Sequence, residues 1–89
     1  MKWPYLEVTF RHGRPLAAYL YLPRAPGDKS HYSDKAGAGL IIDYTETGKA
    51  IGVEITAPGI LDVAELNRVL AGIQAPALTA EDIAPLRAA

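Results

Sequence analysis

The sequence predicts a single α+β domain in which an antiparallel β-meander of about four strands, formed by two hairpins, is covered by a C-terminal helix. Two strand–turn–strand segments alternate apolar and polar residues with the period of half-buried strands, and a later segment repeats apolar residues at helical spacing. A chain of 89 residues suffices for one hydrophobic core but not for two. We therefore expect one domain over residues 1–89, with the sheet in 5–57 and the helix and C-terminal tail in 58–89.

The first hairpin is predicted from residues 5–10, which alternate apolar and polar, and from the turn-forming residues 11–15 that follow. Placing Phe10 opposite Leu16 aligns the apolar residues of both strands on one face, since a slip of one residue would move one set to the other side. The same register gathers three aromatic residues on the opposite face, and these are Tyr5, Tyr19 and Tyr21.

A loop and an edge strand are predicted next. Residues 23–28 are rich in proline, glycine and aspartate, a composition typical of an exposed loop. The polar residues 30–35 predict a short edge strand, because charged side chains at a sheet edge discourage unwanted pairing. Residues 36–39 alternate alanine and glycine and give a flexible approach to the second hairpin.

The second hairpin is predicted from two apolar strands joined by a four-residue loop that ends at Gly48 in the left-handed conformation. This loop length places Ile42 opposite Ile51 and keeps the apolar residues of both strands on one face. On the other face it sets Gly52 against Ile41. We therefore expect these two residues to extend the tyrosine-bearing surface as a flat apolar patch.

A helix is predicted after the sheet. Asp62, followed three residues later by an acid, is typical of a helix N-terminus. Apolar residues then recur at helical spacing, namely Val63, Leu66, Val69, Leu70 and Ile73. Gly72 predicts the end of this helix, whose length is about nine residues. Thr79 is then expected to cap a final short turn that is anchored by Ile83 and Leu86.

The overall composition favours an ordinary globular domain. Hydrophobic residues make up 49% of the chain and charged residues 21%, which excludes a disordered chain. The absence of cysteine excludes disulfides, thiol nucleophiles and thiolate metal sites. No apolar stretch has the length of a membrane span, and the N-terminus lacks the pattern of a secretory signal. We expect a cytoplasmic bacterial protein that does not contact membranes.

The charge distribution bears on nucleic-acid binding. The net charge is −1, with +3 on residues 1–35 and −4 on residues 36–89. This basic excess is far weaker than the basic stripe that usually binds nucleic acid, so such a partner is not expected. A nucleic-acid interface remains a second alternative, and its residues would be Arg11, His12, Arg14, Arg24 and Lys29.

The hairpin region resembles a known family. Residues 18–22 form an aromatic and aliphatic strand, and residues 39–55 contain a glycine, an apolar run, Asp43-Tyr44, a turn ending at Gly48, and a closing strand with Glu54. This arrangement resembles the bacterial family called domain of unknown function 2283, over roughly residues 5–57. The resemblance implies a β-meander with a helix, and it brings no assigned activity.

Two features depart from the pattern of that family. Thr45 and Thr47 occupy a turn that is commonly more acidic in the family, and a long proline-rich loop follows Leu22. Both departures weaken the idea that the turn binds cations. The residues from Leu66 to Leu86 look like an extension that some members share.

Four polar residues are candidates for chemistry. Asp43 and Glu54 could act as an acid–base pair only if they converged on one pocket with perturbed pKa values. The favoured interpretation is that both face solvent on the wet side of the sheet. His12 and His31 could serve as metal ligands or proton carriers, but neither has a second histidine at ligand spacing. We expect no catalytic residue, no metal site and no cofactor.

The tyrosine-bearing side of the sheet is the main candidate for function. Tyrosine gives a large contact area with a polar tip, which suits a protein interface, and the interface candidates are Tyr5, Tyr19, Tyr21 and Ile41. Either this side is an interface, or the helix or the tail covers it within the chain. The sequence favours a noncatalytic protein–protein interaction module, as a homo-oligomer or in a small complex. The alternative is a small-molecule or metal-dependent enzyme that uses Asp43, Glu54 and a histidine.

Overall fold

A computed structural model of the chain describes residues 4–87. The strands are β1 (Tyr5–Arg11), β2 (Arg14–Tyr21), β3 (Tyr32–Gly37), β4 (Leu40–Tyr44) and β5 (Ala50–Ile55), and the helix is α1 (Val63–Gly72). Short 3-10 turns lie at Pro58–Ile60 and Ala84–Arg87. The α+β class and the antiparallel sheet are confirmed. The sheet has five strands rather than about four, because the polar β3 pairs with β4 at the edge.

The strand order corrects the predicted meander. The order is β1-β2-β5-β4-β3, so β2 lies beside β5, and the connection over residues 22–31 crosses to the far edge of the sheet. Burial gives the physical reason. Four of the six residues of β5 are buried, whereas four of the six residues of β3 are exposed. The most apolar strand therefore takes the centre and the most polar strand takes an edge.

The register of the first hairpin is confirmed for its first five residue pairs, from Tyr5 onward. It is wrong at the turn, where Phe10 lies opposite Pro15 and not opposite Leu16. The turn contains only His12 and Gly13, with φ of 53° and 75°, the combination of positive φ values that tight hairpin turns require. This turn is shorter than predicted, and a bulge in β2 absorbs the difference.

The predicted register of the second hairpin is wrong by two residues, since Ile42 lies opposite Val53 and not opposite Ile51. The loop between the paired Tyr44 and Ala50 has five residues instead of four, and the bulge at Ile51 adds one more. From Leu40 to Asp43 the shift is even, so the residues paired there keep their predicted faces, whereas Ala50, on the turn side of the bulge, packs against the core. Alternation alone therefore could not distinguish the two registers.

The C-terminal elements pack on one face of the sheet, as predicted. Asp62 caps α1 by accepting the N–H of Ala64 at 2.9 Å. Thr79 caps the last turn through reciprocal hydrogen bonds with Asp82 of 2.8 and 3.1 Å. The buried core joins sheet, helix and turn, and its members are Ala18, Leu20, Leu22, Leu40, Ile42, Val53, Ile55, Leu61, Leu66, Val69, Leu70, Ile83 and Leu86.

One tie between α1 and the tail was not predicted. The side chain of Asn67 donates to the carbonyl of Leu78 at 2.9 Å and accepts its N–H at 2.8 Å. This bidentate contact holds the linker after α1 against the helix. Among residues 4–87, no helix combines the length and the apolar character that crossing a membrane requires.

Candidate functional site

The sheet has one packed face and one open face. Helix α1 and the last turn join the core on the packed face. The open face carries all four predicted interface residues, and we call it the tyrosine face, defined by Tyr5, Tyr19, Tyr21 and Ile41. Tyr5 is 51% exposed and the other three are partly exposed. Within residues 4–87, therefore, the helix and the last turn do not cover the tyrosines.

The ladder pairings arrange the tyrosine face in two rows across the five strands. The first row contains Tyr5, Tyr21, Gly52, Asp43 and Ser33. The second row contains Glu7, Tyr19, Glu54, Ile41 and Lys35. Gly52 thus lies opposite Asp43, and Ile41 lies opposite Glu54. The predicted flat patch of Ile41 with Gly52 is wrong, because the register shift separates these two residues.

The three tyrosine rings pack against one another. The rings of Tyr5 and Tyr21 are stacked, with centroids 4.6 Å apart and planes at 13°. Tyr19 meets Tyr21 edge to face at 4.7 Å and 69°. The guanidinium of Arg24 lies 5.3 Å from the centroid of the Tyr21 ring. These are favourable aromatic and cation–π geometries, so the rings are held in place before any partner binds.

Tyr19 crosses from the second row to the first. Its hydroxyl donates to Oδ2 of Asp43 at 2.7 Å, and its ring lies over the buried Gly52. A Cβ at position 52 would overlap the hydroxyl and the ring, which explains why this position requires glycine. The hydroxyl of Ser33 donates to Oδ1 of the same carboxylate at 2.5 Å. Asp43 therefore links β2, β3 and β4 across the open face.

Two tyrosine hydroxyls hold their protons more tightly than usual. Burial, together with the neighbouring Asp43 carboxylate, raises the pKa of Tyr19 to about 12, and Arg24 opposes this shift. Desolvation, followed by the nearby Glu7, also raises the pKa of Tyr21, whose hydroxyl donates to Glu7 at 3.2 Å. Both side chains are therefore neutral hydrogen-bond donors at neutral pH.

The four polar candidates do not share one site. The Asp43 carboxylate accepts two hydrogen bonds within the sheet, and Glu54 is exposed on the neighbouring strand. His12 lies in the β1–β2 turn, whereas His31 precedes β3 and meets the Tyr32 ring at 6.4 Å. Nowhere in residues 4–87 do three or more histidine, aspartate or glutamate side chains form a group that could hold a metal ion.

A cleft of about 600 Å³ lies on the other side of the sheet, between the β4–β5 turn and the end of α1. Its lining includes Tyr44, Lys49, Ile73 and Gln74, and it contains none of the predicted site residues. The ammonium group of Lys49 is paired with Asp28 at 2.7 Å. The cleft therefore does not bring together the convergent polar groups that bind a small molecule.

The fold and the site define a small two-layer α+β domain with an interlocked aromatic cluster on the open side of its sheet. Comparison with protein-family models, with curated proteins and with solved structures found no match to this chain.

Proposed function

We propose that the chain is a noncatalytic protein-interaction domain whose tyrosine face binds a second copy of the same chain, giving a homo-oligomer. The observation that carries this proposal is the one-sided packing of the sheet. The core lies on one face, while the other presents Tyr5, Tyr19 and Tyr21 as a packed and partly exposed cluster. Contiguous aromatic surface of this kind is typical of protein interfaces.

The fixed geometry of the rings supports an interface. A side chain that is immobilised on binding loses conformational entropy, of roughly 0.5–1.5 kcal/mol for a flexible one. Tyr19 is already held by Asp43, and Tyr21 by the rings on either side of it. Less freedom therefore remains to be lost when a partner covers them. Tyrosine is also among the residues that dominate binding energy at interfaces.

The charges on the tyrosine face support a second copy as the occupant. The second row carries both signs, with Glu7 on the edge strand β1, Glu54 on the central β5 and Lys35 on the opposite edge strand β3. A two-fold contact brings the same surface of both copies together, so a surface that carries both signs can pair with itself. The acids also oppose a polyanionic partner, which favours protein over nucleic acid.

Light scattering coupled to size-exclusion chromatography tests the proposal. At a protein concentration of tens of micromolar, on the order of the Kd of a weak interface, we expect a mass above that of the monomer. Tyr5→Ser should weaken the association at least about fivefold, because it removes a stacked, exposed ring of the tyrosine face. A strictly monomeric wild-type chain would contradict the homo-oligomer.

The matched control for this experiment is Tyr32→Ser. Tyr32 is 44% exposed and stacks on Tyr44 with centroids 5.0 Å apart, so the control also loses one exposed, stacked tyrosine. Tyr32 pairs with Tyr44, which packs against the core on the other face. The control variant should associate like the wild type, and equal weakening by both variants would argue against the tyrosine face.

We also propose membership of the family called domain of unknown function 2283 and a cytoplasmic location in bacteria. The support for the family is the hairpin pattern from Gly39 to Ile55, and for the location the absence of cysteine, which suits a reducing compartment. The resemblance also includes residues 18–22, and the structure gives a physical reason for three of its residues, since Tyr19, Asp43 and Gly52 interlock. Homologues whose sequences link this chain to the family would test its membership. Fractionation of its host cells would test its location.

A further inference from the structure

The end of the first hairpin projects from the sheet as a two-stranded arm. β2 pairs with β5 only from Ala18 to Tyr21, whereas its pairing with β1 continues to the turn. Residues 9–17 therefore have only each other as sheet neighbours. The arm also carries two large apolar residues that are half exposed, Phe10 at 50% and Leu16 at 52%. An isolated two-stranded hairpin is only marginally stable in water, so a further strand beside this arm would stabilise it.

The two edges of the sheet differ in protection. Edge strand β3 carries Asp34 and Lys35 and has a bulge next to them, features that discourage pairing with another chain. Edge strand β1 has seven residues, five of them exposed; it has no proline, its two charges are Glu7 and Arg11, and the bulge beside Thr9 and Phe10 has its extra residue in β2 and not in β1. An edge strand of this length offers a row of backbone N–H and C=O groups to a further strand.

We propose that β1 is a second interface, which pairs antiparallel with β1 of a second copy about a two-fold axis at Thr9. Pairing about this axis places Thr9 against Thr9, Val8 against Phe10, and Glu7 against Arg11 of the second copy. Threonine pairs, aromatic with β-branched pairs, and pairs of opposite charge each stabilise antiparallel strands. An axis at Glu7 instead would place this acid against itself.

Charge within the arm supports the same register. Arg11 lies opposite Arg14 across the first hairpin, a pair of like charges that destabilises the arm of a single chain. In the paired arms, Glu7 of the second copy lies on the other side of Arg11 and offsets this repulsion. Phe10 gains an apolar neighbour in the same step, since Val8 of the second copy lies beside it.

This edge contact goes beyond the proposed function, because it uses the backbone edge of β1 and not the tyrosine rings, with Glu7 as the one residue that belongs to both surfaces. The two-fold axis is perpendicular to the sheet, so the sheets of both copies merge and their tyrosine faces point to the same side. The paired segment, residues 7–11, is short, so the interface belongs to the small and weak class. Detecting this weak contact therefore requires either a covalent crosslink or pairs of variants whose reversed charges allow them to bind only each other.

Disulfide trapping tests the register. The natural chain has no cysteine, so a single substitution gives an unambiguous result. In Thr9→Cys the two Cα atoms would lie about 4.5–5.5 Å apart, within disulfide range. In the control Glu7→Cys, the two copies of residue 7 would be separated by four positions along the strands, about 13 Å. Mild oxidation should crosslink Thr9→Cys rapidly and Glu7→Cys slowly. Equal rates, or no crosslinking, would overturn the proposal.

Charge reversal tests the same contact without a covalent bond. Arg11→Glu places two acids together in the homodimer, and Glu7→Arg places two bases together, so each variant alone should lose the edge contact. Mixed in equal amounts, the two variants restore both opposite-charge pairs. We expect heterodimers in native mass spectrometry of the mixture, and their absence would reject the register.

A double variant distinguishes a failure of the edge contact from a failure of the tyrosine-face interface. Tyr5 lies outside the paired segment, so Tyr5→Ser combined with Thr9→Cys should crosslink as efficiently as Thr9→Cys alone. Crosslinking that is lost with Tyr5→Ser would show that the copies meet through the tyrosine face and would overturn the edge contact.

Discussion

Tyr19 shows how one side chain can join distant parts of a sheet. Its hydroxyl contacts a carboxylate two strands away, and its ring fills the space above a glycine on the strand between. The sequence indicated that Tyr19 and Asp43 lie on the same side of the sheet. It did not indicate that they meet, because their contact depends on the placement of β5 between β2 and β4.

The raised pKa of Tyr19 predicts a loss of stability in alkaline solution. The folded chain holds this proton to about pH 12, whereas the unfolded chain releases it near pH 10, the ordinary pKa of tyrosine. Between these values the folded state binds more protons, so its stability is complete below about pH 10 and falls as the pH rises toward 12. Tyr21 and Tyr44, whose pKa values are also raised, contribute in the same direction.

Urea unfolding of the wild type and of Tyr19→Phe over this pH range checks the prediction. Tyr19→Phe should be less stable than the wild type at neutral pH, by roughly 1 kcal/mol for one hydrogen bond. Above about pH 10, where Tyr19 of the unfolded chain loses its proton, the unfolding free energy of Tyr19→Phe should also decline less steeply with pH than that of the wild type. Parallel decline of both proteins would contradict a special role for Tyr19.

At the scale of elements, β2 and β5 are locked together by the fit of Tyr19 over Gly52. We expect Gly52→Ala to cost about 1–3 kcal/mol of unfolding free energy, because the added methyl group overlaps the ring. In a Tyr19→Ala background the same substitution should cost much less, since the space above residue 52 is then open. The coupling energy from a double-mutant cycle, measured by denaturant unfolding, is the test. Additive effects would show that the ring does not set the requirement for glycine.

Strand pairing shows the limit of alternation as a predictor. The pattern of apolar residues assigned the correct face to Ile42 and Val53, and Gly48 has the predicted positive φ of 91°. The pattern could not count the residues in the turn, however. A longer loop and a bulge shift the register of Leu40 to Asp43 by two, which leaves the faces of these residues and of their partners unchanged.

For the whole molecule, the last turn is an integral part of the core. Ile83 is 2% exposed, whereas Ile60, also C-terminal to the sheet, is 81% exposed. We expect Ile83→Ala to lower the unfolding free energy by about 2–4 kcal/mol through lost burial and a cavity. The matched control Ile60→Ala should change it by less than about 0.5 kcal/mol. Chemical denaturation measures both, and similar effects would contradict the docking of the last turn.

The strand order was the part of the architecture that sequence could not supply. Helical spacing, capping residues and a polar edge segment are local signals, and they predicted α1, its cap at Asp62 and the edge position of β3. The strand order depends on which two strands pair with β5, and this choice involves strands that are far apart in the sequence. The sequence of residues 22–31 does not show where this connection leads. Its turn residues are compatible with a loop to a neighbouring strand and equally with a loop that crosses to the far edge of the sheet.

The adjacency of β2 and β5 also concerns the route by which the chain folds. The other three strand pairs in the sheet join neighbours along the chain and close through short turns. The β2–β5 ladder alone must close the long segment between Tyr21 and Gly52. Most of the loop-closure entropy is therefore lost when the β2–β5 ladder forms. Nonlocal pairing of this kind slows folding. The hydrogen bond from Tyr19 to Asp43 spans the same seam, so it can form only once the two hairpins have joined.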